Sequence, residues 1–274
     1  MSFTAQKNRN VTIIKRAIFI VFGLYIMIGS LLVTFQEKII FRPTKLDQDY
    51  AYAFKTSFKE FYVKAPDGAK LNALHFNAET PKGLIVYFHG NAGDLSRWGA
   101  IVEPFVGLGF DVVVMDYRSY GKSSGKLSEQ RLYSDAQLFY EYALNHYNPE
   151  DIIIYGRSLG TGIASKLASE NKVQQLILET PYTSLEAVAS YRFPIFPVET
   201  FLKYRLPTIE FIKFMECPIT IFHGTEDAIV PYELGKKLKT EYPGKIDLIT
   251  IEGGGHNDLA SFATYQNKLQ TILN

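Results

Sequence analysis

The residues most able to do chemistry are Gly156-Arg157-Ser158-Leu159-Gly160, a serine with a glycine two positions to either side. A serine hydroxyl is a poor nucleophile until a neighbouring base takes its proton. The setting gives the pattern its weight. The apolar run Asp151–Tyr155 leads straight into it and an Ala/Ser/Lys-rich helical stretch follows, the strand–turn–helix context that an activated serine requires. In so tight a turn only glycines avoid clashes around the serine, which is held in strained backbone geometry. The helix N-terminus behind it favours developing negative charge. Acyl transfer is the chemistry such an arrangement suits.

The base must come from five histidines. His75 falls inside a predicted strand and His146 near a helix end, while His89 and His223 each precede a glycine at a strand end and suit the shaping of a turn. His256 differs. It lies in Gly253-Gly254-Gly255-His256-Asn257-Asp258, after the last predicted strand, where three successive glycines describe a closely approached loop. A carboxylate is then needed to fix the histidine tautomer and stabilise the imidazolium. Asp227 follows the predicted strand Ile219–Gly224, with Glu226 as the competing carboxylate. The chain order Ser158, Asp227, His256 puts each residue at a C-terminal strand end, where open α/β sheets bind ligands. The oxyanion of acyl transfer needs two backbone N–H donors. Leu159 supplies one as the residue after the serine. The second is expected from His89-Gly90-Asn91-Ala92-Gly93-Asp94, with Asn91 the first choice and Ala92 the alternative. The glycine spacing of that turn fits neither phosphate-loop pattern. No cluster of metal ligands is visible, so neither a metal nor an organic cofactor is expected.

These residues need a scaffold to place them, and the chain's 274 residues suffice for one large domain with a buried core. Composition is globular, at 47% hydrophobic and 21% charged, and a formal net charge of +1 gives no basic patch for nucleic acid. The lone Cys217 excludes an intramolecular disulfide and reads as a small core residue. Past residue 36, short β-rich runs alternate with helical ones, which predicts a mostly parallel sheet covered on both faces. Phe58–Lys64 and Lys70–Phe76 read as an antiparallel pair turning at Pro66-Asp67-Gly68. Gly83–His89, Asp111–Asp116, Asp151–Gly156, Gln174–Glu179, Ile219–Gly224 and Lys245–Ile251 make eight strands. Helices are expected over Leu95–Leu108, Glu129–Tyr147, Leu159–Glu170, Pro231–Tyr242 and Asp258–Leu273. Tyr182–Glu216 is too long for a connection and is rich in aromatics and prolines. It reads as a lid over the site, or else as a cover for the sheet edge.

Ahead of the sheet, Ala17–Phe35 carries no charge over 19 residues. As a helix it spans about 28 Å, close to the roughly 30 Å of a bilayer core. Lys7, Arg9, Lys15 and Arg16 precede it without an acidic residue, which favours a cytoplasmic N-terminus and a catalytic domain on the opposite, periplasmic or lumenal, side. The expected organisation is therefore residues 1–36 as N-terminus and transmembrane anchor and 37–274 as the catalytic domain. A cleaved signal peptide lacks the small-x-small site it needs. A buried core helix is the other competing reading, though one apolar on every face is unusual at this length.

Four stretches, YFHGNAGD, MDYRSYGKSSG, IIIYGRSLGTG and IFHGTEDAIVP, followed by GGGHND, resemble the α/β-hydrolase superfamily over nearly everything after the anchor. The likeness is strongest to its membrane-anchored, short-lid branch, the bud-emergence-type hydrolases and protein depalmitoylases. It implies Ser158 as nucleophile, Asp227 as acid and His256 as base, and the α/β-hydrolase fold with a short helical lid. Ser119 departs from the family's usual glycine, and the cysteine-rich segment of the depalmitoylases is missing. The expected activity is cleavage of carboxylic esters or thioesters of lipid-like acyl substrates. The alternatives are a serine aminopeptidase, with Glu226 or Glu216 to hold the free amine, and a non-catalytic membrane-bound binding protein on the same fold.

Overall fold

A computed structural model describes residues 3–274, with side chains from Asn10 onward; Met1 and Ser2 of the expected anchor segment lie outside the described residues. The sheet strands are β1 (Phe58–Lys64), β2 (Lys70–Phe76), β3 (Leu84–Phe88), β4 (Asp111–Met115), β5 (Ile152–Arg157), β6 (Gln175–Glu179), β7 (Ile219–Gly224) and β8 (Ile246–Ile251). They form one eight-stranded sheet in the order β8-β7-β6-β5-β3-β4-β2-β1. All neighbours pair in parallel except β2, which is antiparallel to both β1 and β4. The helices are α1 (Phe3–Ile40), α2 (Leu95–Gly107), α3 (Glu129–Leu144), α4 (Gly160–Glu170), α5 (Leu185–Arg192), α6 (Val198–Phe201), α7 (Thr208–Ile212), α8 (Tyr232–Glu241) and α9 (Ala263–Ile272).

The central strands bury both faces, which is why they read as unbroken apolar runs. Leu84, Val86 and Phe88 of β3 join a core with Leu132 of α3, Ile163 of α4 and Leu238 of α8. The alternate residues Ile85 and Tyr87 join a second core with Trp98 of α2 and Leu269 of α9. From β3 the chain steps to β4 on one side and later returns to β5 on the other. The loops after β3 and β5 therefore meet at a switch point of the winding, where such sheets open a crevice. One predicted helix is divided: Leu259–Ser261 is a single 3₁₀ turn, and extended Phe262 separates it from α9.

Helix α1 runs past the predicted apolar segment at both ends. From Asn10 to Ile40 every side chain is exposed except Tyr25, Gly29, Leu32, Val33, Gln36 and Ile40, a single stripe at helical spacing. Phe19 is 75% exposed. The most apolar stretch has a mean hydropathy of 2.5 and none of it is buried, so it is not a core helix, and it is long and apolar enough to cross a membrane. Its exposed stripe-free faces are apolar, a surface for which water is a poor solvent.

The segment predicted as a lid divides in two. Tyr204, Leu206 and Ile212 are buried in the main core, and Ile209 N–H donates to the Thr183 carbonyl at 3.0 Å. The part from α5 to Phe201 leans instead on α1. Tyr25 stacks on Phe196 with ring centroids 4.8 Å apart, and its hydroxyl donates to the Ile195 carbonyl at 2.9 Å. Gln36 Nε2 donates to the Phe201 carbonyl at 3.2 Å, and Gln36 Oε1 accepts from Lys203 N–H at 2.8 Å. Neither expectation for this segment describes it whole: one half covers the core, the other bridges to α1.

The turn after β4 braces the crevice from below. Tyr117 Oη donates to the His89 carbonyl and Tyr120 Oη to the Asn91 carbonyl, each at 2.7 Å. Ser119 does adopt a positive φ of 69°, as the departure from glycine implied, and its Oγ donates to the Gly125 carbonyl at 3.0 Å. Between them, buried Arg118 grips Asp135 through two hydrogen bonds of 2.7 and 2.8 Å and reaches Asp67 at 2.6 Å. Arg118→Met should leave Asp135 a buried, unpaired carboxylate and cost about 3–5 kcal/mol. Thermal unfolding of the detergent-solubilised chain would then fall by roughly 10 °C; an unchanged midpoint would show that the pair is dispensable.

Candidate active site

Ser158 sits where β5 turns into α4, with φ of +51°, a region that L-residues rarely adopt. The neighbouring glycines allow it. A Cβ on Gly160 would lie 2.0 Å from the Phe88 carbonyl oxygen of β3, and one on Gly156 would lie 2.7 Å from both Ala164 Cβ and the Gly160 carbonyl. Ser158 N–H donates to the Glu179 carbonyl at 2.9 Å and its own carbonyl accepts Thr161 N–H at 2.9 Å. The serine is thereby lifted to a half-buried crest. No side chain caps α4, and the crest stands at the positive end of that helix.

The structure brings Ser158, Asp227 and His256 together from the ends of β5, β7 and β8. His256 Nε2 lies 2.9 Å from Ser158 Oγ and its Nδ1 lies 2.7 Å from Asp227 Oδ2. A carboxylate only accepts, so Nδ1 carries the ring proton and Nε2 is left to accept the serine proton. Glu226 is exposed and points its backbone N–H at the Gly254 carbonyl at 2.9 Å, taking no part in the His256 contact. Asp227 itself is buried. Its Oδ1 accepts from the backbone N–H groups of Ile229 and Val230, each at 2.8 Å. Burial alone would raise its pKa, but hydrogen bonds from His223 and His256, the His256 charge and the Val230 N–H outweigh that and hold it below the usual carboxylate range.

Sequence reasoning missed the part of His223. It was expected only to shape a turn, yet its Nε2 lies 3.4 Å from Asp227 Oδ2 and 3.0 Å from the Val230 carbonyl. Since that carbonyl can only accept, Nε2 carries the proton and aims it between the two oxygens. Asp227 Oδ2 thus faces two imidazoles. The four-residue spacing from His223 to Asp227 was the available signal. Arg157 was likewise passed over. Its Nε pairs with buried Glu179 at 3.0 Å, while Tyr155 Oη donates to the other Glu179 oxygen at 2.6 Å. Arg157 Nη2 reaches Asn257 Oδ1 at 3.5 Å, tying the residue before the serine to the residue after His256.

The two expected oxyanion donors flank the crest. Leu159 immediately precedes α4, and its carbonyl accepts Tyr182 Oη at 2.9 Å. Asn91 follows Gly90, at which a Cβ would lie 3.6 Å from Ser158 Cβ, so this turn lies directly over the serine. Besides Tyr120, the Asn91 carbonyl accepts Arg42 N–H at 2.8 Å, and Arg42–Pro43 pairs in parallel with Ala92–Gly93. Buried His89 stacks on Trp98 at 5.2 Å and its Nδ1–H donates to the Gly90 carbonyl at 2.7 Å, which is the turn-shaping role its position implied. Cys217 is half-buried, and burial raises its thiol pKa, leaving it a weak nucleophile. Among the described residues no group of three His, Cys, Asp or Glu side chains is placed to hold a metal.

Comparison with known proteins bears on the family and the fold. The family described as serine aminopeptidase, S33, matches residues 79–211, a span that includes Asn91 and Ser158 but ends before Asp227. An uncharacterized protein of Mycobacterium tuberculosis is 30% identical over 241 residues, covering 85% of each chain. The α/β hydrolase domain-containing protein 17C of Xenopus tropicalis is 34% identical over 236 residues, covering 84% of this chain and 74% of that one. Among solved structures, an esterase of Pyrococcus furiosus superposes with a TM-score of 0.66 at 18% identity, over 85% of this chain and 98% of its own. An α/β serine hydrolase homologue from Coxiella burnetii gives 0.58 at 20% identity, over 81% and 98%. At these identities the structures share the fold.

The close approach at Gly160 makes a direct test. Gly160→Ala should force β3 and α4 apart, at a cost of about 1–3 kcal/mol or more, and should lower reactivity at Ser158 further than stability alone explains. Chemical denaturation beside active-serine labelling reads both; an alanine variant with unaltered stability would mean the approach is looser than 2.0 Å.

Proposed function

We propose that this chain, which belongs to the α/β-hydrolase superfamily and to its depalmitoylase-like branch, is a membrane-anchored serine hydrolase of acyl esters or thioesters. The observation that carries the reading is the continuous relay Ser158 Oγ, His256 Nε2, His256 Nδ1, Asp227 Oδ2, with steps of 2.9 and 2.7 Å. Ser158 Oγ attacks the acyl carbonyl carbon as its proton passes to His256 Nε2. Asp227 stabilises the imidazolium, and the N–H groups of Leu159 and Asn91 donate to the oxyanion. Collapse of the tetrahedral adduct expels the alcohol or thiol, which takes the proton from His256. A water then gives its proton to His256 and its oxygen to the acyl carbon, releasing the acid and restoring Ser158. The reaction asks for no metal or organic cofactor.

The lipid-like substrate rests on two features: the apolar α1, exposed and long enough to cross a membrane, and the aromatic segment docked on it. With basic residues leading α1, we place the N-terminus in the cytoplasm and the catalytic domain, residues 37–274, on the opposite side. The description of the matching family keeps an aminopeptidase as the second reading; its amine would need a carboxylate near the serine, for which exposed Glu226 is the nearest candidate in sequence to the relay. A purely binding role would leave the relay without a task.

Ser158→Ala should abolish esterase activity and labelling by a fluorophosphonate while leaving the fold intact. Asp227→Asn should cost about ten-thousandfold in turnover through the wrong tautomer, and Glu226→Gln little. Equal labelling of wild type and Ser158→Ala, or greater damage from Glu226→Gln, would overturn these assignments.

Chain length supplies a separate test. Each methylene buried against apolar walls gains about 0.8 kcal/mol, so four more offer ~3 kcal/mol, on the order of a hundredfold in kcat/KM. Esters from acetate to palmitate should show that rise until the site is filled. A flat profile with faster turnover of amino-acid amides would promote the peptidase.

A further inference from the structure

Between α1 and the half of the predicted lid that leans on it, Leu185 to Leu202, lies a cavity of about 560 Å³, within the ~300–1,000 Å³ typical of small-ligand pockets. Its walls are Ile26, Gly29 and Val33 on α1 facing Ala189, Phe193 and Phe196. Of its polar side chains, Tyr25 and Gln36 are already engaged, with Ile195 and with Phe201 and Lys203, which leaves the small hydroxyls of Ser30 and Thr34. A lining without charge offers a polar ligand or ordered water almost nothing to bond. The ligand chemistry that fits is hydrocarbon.

Position decides which hydrocarbon. Tyr25 and Gly29 fall inside the uncharged segment Ala17–Phe35, and Tyr25 lies about 15 Å along the helix axis from Phe35. With α1 spanning a bilayer, the contact of Tyr25 with Ile195 and Phe196 sits at hydrocarbon depth. The lid there bares Ile195 at 70% and Tyr191 at 66% exposure, side chains suited to acyl tails and unsuited to water. Between those two residues, at the C-terminal end of α5, Arg192 Nη2 donates at 3.2 Å to the carbonyl of Ala228, the residue after Asp227. Helix α5 and the Phe193 that follows it therefore line the cavity with Ala189 and Phe193, while Arg192 reaches the Asp227 loop.

We infer that the cavity between α1 and the lid receives the acyl chain of a bilayer lipid, which enters sideways from the membrane rather than from water. The inference rests on the acyl-hydrolase reading for its purpose and is separable from it in the test. The full chain carrying Ser158→Ala is reconstituted in phosphatidylcholine vesicles doped with phosphatidylcholine bearing a photoreactive diazirine near one chain end. Crosslinks are mapped by mass spectrometry. They should fall on Tyr25–Val33 and on Ala189–Phe201, and Ala189→Trp, which fills the cavity, should remove most of them. Because Ser158 is absent, this readout does not depend on catalysis.

With Ser158 restored, Ala189→Trp should lower kcat/KM for a palmitoyl ester in vesicles at least about tenfold, the worth of two buried methylenes, and leave a soluble acetyl ester within twofold. Gly29→Leu closes the cavity from the other wall, where a Cβ already meets Phe196 at 3.3 Å, and lies on α1, away from the catalytic groups. It serves if Ala189→Trp loses both activities through misfolding. Crosslinks confined to the lipid-facing stretch Val11–Phe22, or undiminished in both filled variants, would overturn the inference. Loss of crosslinks with no selective loss of the palmitoyl ester would overturn the passage of substrate through the cavity.

Discussion

The site depends on one close approach, that of the β5–α4 turn to the carbonyl end of β3. No side chain fits at Gly160 because the Phe88 carbonyl occupies the space. The turn therefore has to be made of glycine, and the serine between the glycines must take the strained φ of +51°. Strain of this kind persists only where the surroundings over-determine the backbone. Here they do: β3 and β5 are buried on both faces, and the amide and carbonyl of Ser158 are both hydrogen-bonded. What the strain achieves is presentation, with the hydroxyl raised above the sheet and the start of α4 behind it.

Around this crest, buried charge is managed by accumulating donors. A carboxylate removed from water is costly unless its lone pairs are taken. Asp227 meets that demand with two backbone amides on one oxygen and two imidazoles facing the other. Glu179 meets it with Arg157 and Tyr155. The two networks converge on neighbouring residues, since Arg157 precedes Ser158 and contacts Asn257, which follows His256. The backbone segments that carry hydroxyl and imidazole are thereby tied to each other through Arg157 and Asn257.

Much of this was legible in the sequence, for physical reasons. Strands buried on both faces must be apolar throughout, so β3 to β7 announced themselves within a residue or two. Ser158, Asp227 and His256 were legible because each follows a strand within three residues of a glycine. The second task of His223 was hidden by that same rule, which accounts for a histidine before a glycine as a shaper of turns. The break at Phe262 left no proline or glycine to mark it. The docking stripe on α1 was invisible for a different reason. Tyr25, Gly29, Val33, Gln36 and Ile40 share one face, but the other faces of α1 are equally apolar, so no periodicity survives to reveal which side meets protein. A helix apolar on every face conceals which side meets its partner.

Helix α1 has no slack at its base. It runs unbroken to Ile40, Phe41 is buried against Tyr204 with ring centroids 4.7 Å apart, and Arg42 already bonds the Asn91 carbonyl. A flexible leash would let the body swivel freely. This junction behaves as a lever instead, in which a tilt of the helix loads the Asn91 turn within two residues of leaving the shaft. The orientation of the sheet and that of the helix are consequently one mechanical variable, and whatever fixes the angle of α1 also fixes which way the mouth of the crevice faces.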